Sequence, residues 1–333
     1  MPIKLFFDLI QRSNVGMRET IRAVSACFIS DRKFQRRFLH LEFIQDKSSS
    51  NLAESIKKVA EMYNIGSFEL ACDGASTNHS AADKLDLRQH TCWSHSTHNI
   101  ISAAYTSMGT KYAAFKRFTT VFERLLTKAS RKHINSKLMN VEGYVKIPQL
   151  VATRWLSRYE CIKSVLRNWD IINQNRNLLG LTQSEWNTFD NKALFEDMFE
   201  ITGLGATCLL RFEVQKFTTA HKVIPTLVKW HQKLYTFRLY SKKTELGRLL
   251  AEEMSESIDT YTFGKEGRLI RPRINATAII QASLAPETVY LQKQRKKINE
   301  IPSPELIKIN EEIETRFKKI NSMVMPQLKS AFT

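Results

Sequence analysis

Two acids, a cysteine–histidine cluster and an arginine–tryptophan pair are the residues of this sequence best suited to chemistry. Asp8 sits inside the apolar run "IKLFFDL", and Asp73 follows "SFELAC" just before Gly74. A carboxylate in an apolar strand costs free energy unless it lies at a strand end, pairs with a cation or binds metal. If the two runs are neighbouring strands, Asp8 and Asp73 are the minimal holder for divalent Mg or Mn. A pair of such ions, about 4 Å apart, activates a water or hydroxyl and stabilises the leaving oxygen in phosphodiester chemistry. The plain alternative is a pair of turn-forming acids, since Asp before Gly is a standard turn signal. Spacing alone favours that alternative.

Cys92, His95 and His98 form C-x2-H-x2-H. On a helix each step of three falls about 60° short of a full turn, so the three side chains drift around the surface. Zinc needs four convergent ligands, and no CxxC or HxxxH completes a set; no zinc is expected. The plain reading is a buried Cys and a satisfied His closing a strand against the next helix. A nucleophilic Cys92 would need an exposed thiol and a basic partner, for which only His95 is close in sequence. Arg154 and Trp155, in "VATRWLSRYE", stand at an expected helix start. Trp beside a cation suits stacking on an unpaired base with Arg on phosphate, although a Trp anchoring two helices is the commoner use of that residue.

The whole chain carries 50 Lys+Arg against 33 Asp+Glu, a formal charge of +17 over 333 residues. A compact fold with that excess repels itself unless a polyanion is near, and nucleic acid is the commonest one. The basic clusters "DRKFQRRF", "KYAAFKRF", "KASRKH" and "KQRKK" are solvated faces one by one and together favour a polyanion-contacting surface. "KQRKK" also has the composition of a weak nuclear import signal. The five cysteines are odd in number and widely spaced, which argues against a disulfide framework and fits a reducing compartment, cytosol or nucleus; of the two, the nucleus is the expected location. No signal peptide is read at the start. No apolar run approaches the roughly 20 residues of a span, so no membrane partner is expected.

The elements that must position these residues change character along the chain. "IKLFFDL", "TIRAVSACFIS" and "FQRRFLHLEFIQ" read as strands, the last two as antiparallel partners. "SSSNLAESIKKVAEMYNIG" reads as a helix, with Ser/Asn caps, a stripe of Leu52, Ile56, Val59 and Met62, and Gly66 as the stop. "SFELAC" is a strand, Ser80 to Leu85 a short helix, and "LRQHTC" a fifth, weaker strand. This order predicts a mixed sheet with helices packed on it, in which the first and fourth strands can be neighbours. From Ser96 onward the pattern is helical. Phe115, Phe118, Phe122, Leu125 and Leu126 line one face of a helix; Tyr159, Ile162, Val165, Leu166 and Trp169 line another. Further helical runs are read at 194–201, 227–239 and 245–261. "SPELIKINEEIETRFKKINSM" reads as a capped helix start.

In this order the motifs resemble those of hAT-superfamily transposases, of the hobo and Activator type. "LFFDLIQRS" is similar to the family's first-acid motif, "ACDGASTN" to its second, "CWSHSTHNI" to its Cys-x-x-His motif, and "VATRWLSRYECIKSVL" to its Arg-Trp-Asn-Ser-x-Tyr motif. "GATCLLRFEVQKFTTAHKVIPTLVKW" is similar to its later helical pattern. The resemblance runs from about residue 5 to 290. It implies an α/β core with an RNase H-like mixed sheet over residues 1–98, incomplete, followed by a large α-helical insertion domain over 99–333. It implies that Asp8 and Asp73 are the first two catalytic, metal-binding acids, with Mg or Mn as cofactor. Cys92 and His95 would flank the active site. Arg154 and Trp155 would contact the DNA end and a flipped base.

The departures shape the functional expectation. Ile10 stands for the usual Trp, Leu156 for the usual Asn, and "SLAPETV" for Leu-Asp-Pro-Arg. The family's third acid, in a Ser-x-Glu-Arg-x-Phe-Ser motif of its C-terminal dimerisation segment, has no counterpart among these residues; Glu305 and Glu312 lie in no such motif. The expectation is a transposase-derived DNA-binding protein without efficient cleavage. Two alternatives stay open: an active transposase or nuclease completed by another chain, such as a homo-oligomer or a related full-length transposase, and a non-enzymatic nuclear interaction module.

Overall fold

The computed structural model describes residues 6–13, 20–30, 33–72, 75–87, 89–151, 156–212, 220–240 and 242–263. The protein combines a mixed α/β unit with a helical one, and the two compact units divide between Ser96 and Thr97.

In the first unit, β1 (Phe6–Ser13), β2 (Thr20–Ser30) and β3 (Lys33–Ile44) form an antiparallel meander. Helix α1 (Ser49–Met62) then carries the chain to β4 (Glu69–Cys72), which pairs parallel to β1. Helix α2 (Ser76–Lys84) leads to β5 (Gln89–Thr91), parallel to β4. The sheet order is β3-β2-β1-β4-β5. The helical crossovers follow from direction: parallel neighbours cannot be joined by a tight turn. Val24 and Ala26 of β2 and Leu70 and Cys72 of β4 alternate along their strands and share one core with Leu52, Ile56 and Val59 of α1 and Ala81 and Ala82 of α2. Both helices therefore cover one face of the sheet.

Three local expectations are corrected here. α1 stops at Asn64, whose left-handed φ of 51° lets Ile65 N–H reach back to Ala60 C=O at 2.8 Å. That is a Schellman-type closure with Asn in the glycine role, and Gly66 lies beyond it. Met62 is exposed, since the helix leaves the core before its last turn. α2 begins at Ser76, not Ser80; its inner face is built of Asn78, Ala81 and Ala82, too small and polar to show as an apolar stripe.

The second unit continues α3 (Trp93–Lys111) into α4 (Ala113–Ala129), α5 (Lys132–Met139), α6 (Ser157–Arg167), α7 (Trp169–Gln174), α8 (Arg176–Leu179), α9 (Gln183–Phe189), α10 (Lys192–Phe212), α11 (Ala220–Leu239) and α12 (Glu245–Phe263). The predicted α4 stripe is buried throughout. Phe195 of α10 is its focus, with ring centroids 4.7 Å from Phe118, 5.3 Å from Phe122 and 5.1 Å from Phe189. The stripe from Tyr159 to Trp169 is not one helix. Asn168 is fully buried between α6 and α7 and takes Val145 N–H at 2.9 Å while donating to Val145 C=O and Ser164 C=O. Its side chain replaces helix continuity with a tie to the incoming loop. The capped segment at Ser303 and the run "LIRPRINATA" lie outside the described residues.

Candidate nucleic-acid and metal site

One carboxylate candidate, Asp8, falls on the central strand of the sheet. Asp8 is the third residue of β1, opposite Ser25 of β2 on one side and Ala71 of β4 on the other. Ala71 precedes Asp73 by two residues in the chain; Asp73 itself lies outside the described residues. The first and fourth strands are thus neighbours, as the strand order predicted. The reason is topological: a meander followed by a helical crossover returns the chain to the free side of β1.

The Cys-x-x-His pair is attached at the same strand end. Cys92 N–H donates to Cys72 C=O at 2.8 Å, which extends the β4–β5 pairing to the last residue before Asp73. Cys92 C=O accepts from both Ser96 N–H, at 3.0 Å, and Ser96 Oγ, at 3.1 Å, so it starts α3. His95 falls in the first turn of that helix. The positive end of a 19-residue helix therefore opens beside the carboxyl end of β4, an electrostatic setting that favours carboxylate or phosphate. His98 is one turn further along the helix. Among the described residues no three His, Cys, Asp or Glu gather to hold a metal ion.

Arg154 and Trp155 lie outside the described residues. The described residues on either side of them are bonded to one another. Ser157, first residue of α6, accepts Val151 N–H on Oγ at 2.7 Å and donates to Gln149 C=O at 3.3 Å. Cys161 Sγ donates to Pro148 C=O at 3.3 Å. One turn of helix thus pins the chain on the far side of the Arg-Trp pair. Ser157 and Cys161 were not singled out from sequence; the Ser after Arg-Trp-x was the available signal. Arg158 lies over the Tyr105 ring, 4.5 Å from its centroid, and Tyr105 shares a hydrogen bond with Thr202 at 2.8 Å. Burial pushes the Tyr105 hydroxyl above its ordinary pKa, with Arg158 and the Thr202 bond opposing. Burial likewise raises the Cys161 thiol to about 11 and the Cys208 thiol to about 12, which makes both poor nucleophiles at neutral pH.

Compared with known proteins, the chain matches no family model and no curated relative. Among the described residues no helix is long and apolar enough to cross a membrane.

Proposed function

We propose that the protein is a transposase-derived DNA-binding protein of the hAT type, nuclear, with an RNase H-like core in its first unit and a helical insertion in its second. The observation that carries this is the sheet: order β3-β2-β1-β4-β5, β1–β3 antiparallel, β4 and β5 parallel to β1, with Asp8 in register opposite the residue two before Asp73. An acid on one strand in register near a second acid on the neighbouring parallel strand supports the reading of a shared divalent ion. The Cys92–Cys72 bond, which brings the Cys-x-x-His pair to the end of β4, supports the same reading, as does the +17 charge.

Asp8 and Asp73 would hold Mg or Mn, and the metal would supply Lewis-acid stabilisation of a phosphodiester. Arg154 would engage phosphate and Trp155 a base. On its own this 333-residue polypeptide, which carries no Ser-x-Glu-Arg motif, is expected to bind DNA without cutting it efficiently.

The test is binding of a labelled terminal-repeat duplex at several salt concentrations, with a parallel incubation in Mn. A steep fall of affinity with salt and no cleavage fit the proposal. Salt-independent, weak association would indicate a protein-interaction module instead. Metal-dependent nicking abolished by Asp8→Asn would show an active nuclease.

A further inference from the structure

The sheet face turned away from α1 and α2 carries an apolar strip that the site above does not use. β3 is an edge strand. Phe38, Leu41 and Phe43 on it are 61%, 49% and 64% exposed. They stand opposite Ser25, Ala23 and Ile21 of β2, whose alternation sets them against the buried Val24 and Ala26 of the other face. A bulge between Val24 and Ser25 leaves Leu39 as the extra residue of β3. It keeps Phe38 and Arg36 on the same face as Leu41 and Phe43. Arg36 and Arg37 are both exposed at this edge.

Three large side chains in contact with water are a patch of functional size, not scattered surface. The area they offer, on the order of 350 Å², falls well short of the roughly 800 Å² per partner of a stable protein interface. Pairing two β3 edges would also gather four guanidinium groups along one seam, which opposes a second copy. What fits is a polyanion with flat apolar faces. A duplex keeps its base faces stacked inside and offers mainly phosphates, whereas unpaired bases can lie on exposed aromatic rings.

We propose that the outer face of β3 binds single-stranded nucleic acid, with bases on Phe38 and Phe43 and phosphate on Arg36. This rests on the nucleic-acid reading above for its ligand class, and adds a second site and a strand preference. The test is fluorescence anisotropy of the full chain with a labelled 20-nucleotide single strand and with the corresponding duplex. The Phe38→Ser/Phe43→Ser double variant is expected to bind the single strand at least about 30-fold more weakly, two stacked bases at the low end of their usual worth, with duplex affinity unchanged. Arg36→Gln is expected to flatten the single-strand salt dependence by about 0.7 in log–log slope. Arg154→Ala/Trp155→Ala serves as the comparison: it should weaken duplex binding, which the phenylalanine variant leaves unchanged. Equal loss on both ligands, or none, in the phenylalanine variant overturns the proposal while leaving duplex binding intact. A change of sedimentation coefficient in that variant with single-strand affinity retained would make the strip a self-association surface instead. No binding of either ligand by the unmodified chain overturns this proposal and the functional reading together.

Discussion

The two units bury polar and apolar groups by different rules. In the helical unit, aromatic side chains from three other helices converge on Phe195. Its buried acids are fully engaged: Asp197 accepts Thr244 N–H at 2.8 Å and Thr244 Oγ1 at 2.7 Å and pairs with Lys243 at 3.3 Å. Glu253 takes Lys111 and Ser107. In the sheet unit the core is built of Val, Ile, Leu and Ala, while Arg22 is buried outright with only Nη1 bonded, to Glu42 at 2.8 Å. Its Nε and Nη2 have no partner among the described residues. Large phenylalanines remain outside on β3. Among the described residues, single unpartnered buried polar atoms occur in the helical unit too, at Trp230 Nε1 and Ser255 Oγ. What sets the sheet unit apart is a half-bonded guanidinium in its interior and two phenylalanines exposed on one strand, a pattern expected where binding competes with packing.

The sharpest way to break that contrast is to remove an aromatic from each unit. Phe195→Ala should cost about 3–5 kcal/mol, because several rings lose contact around one cavity. Phe43→Ala should stay within about 0.5 kcal/mol, as for an exposed side chain. Urea midpoints followed by tryptophan fluorescence read the first, and amide exchange of β2 and β3 reads the second. Comparable losses would mean that the β3 face is core after all.

The polar half of the contrast has its own pair. Asp197→Ala strands Thr244 N–H and the Lys243 ammonium, and is expected to cost about 2–3 kcal/mol. Gly247 belongs to the same contact: a Cβ there would meet Asp197 Oδ2 at 2.5 Å, which only a glycine avoids. Arg22→Met should cost no more than about 1.5 kcal/mol. The unpartnered guanidinium nitrogens lose nothing, and Glu42, partly exposed, keeps the Ser55 hydroxyl. If Arg22→Met proves as costly as Asp197→Ala, the half-bonded arginine is structural and the contrast fails.

Much of the sheet unit was legible because strand period, helical period and crossover direction all agree there: the five strands, their order of appearance and the adjacency of β1 and β4 follow from one another. What could not be read were the points where a polar side chain overrides the pattern. Asn64 adopts the left-handed turn expected of Gly66. Asn168 splits an apolar stripe into α6 and α7 because its amide satisfies the loop at Val145. At the candidate site, the position of Asp8 opposite Ala71 was foreseeable from strand order. The clamp of Ser157 on Val151 was not, because a hydroxyl bond to backbone six residues away leaves no periodic trace.

A smaller test lies at α9, where sequence did hold a signal, Thr182-x-x-Glu185. The helical unit closes this helix with a full capping box: Glu185 N–H donates to Thr182 Oγ1 at 3.3 Å, and Thr182 N–H donates to Glu185 Oε2 at 2.7 Å. Thr182→Ala should cost about 1 kcal/mol by thermal unfolding. The Thr182 N–H bond is also the main reason the Glu185 carboxyl is held below its ordinary pKa, with the Thr182 hydroxyl and Arg124 adding to it against the opposing effect of burial. The sign follows from that depression. The contribution is complete above the unfolded carboxyl value near 4.5 and is lost as pH falls through the lower folded value. The alanine variant keeps that N–H and loses only the hydroxyl's bond to Glu185 Oε2, 3.0 Å long, so the penalty of Thr182→Ala should shrink by that smaller part under acid below pH 4. A penalty that stays constant down to the acid transition would assign the cap to the threonine hydroxyl alone and remove the carboxylate from it.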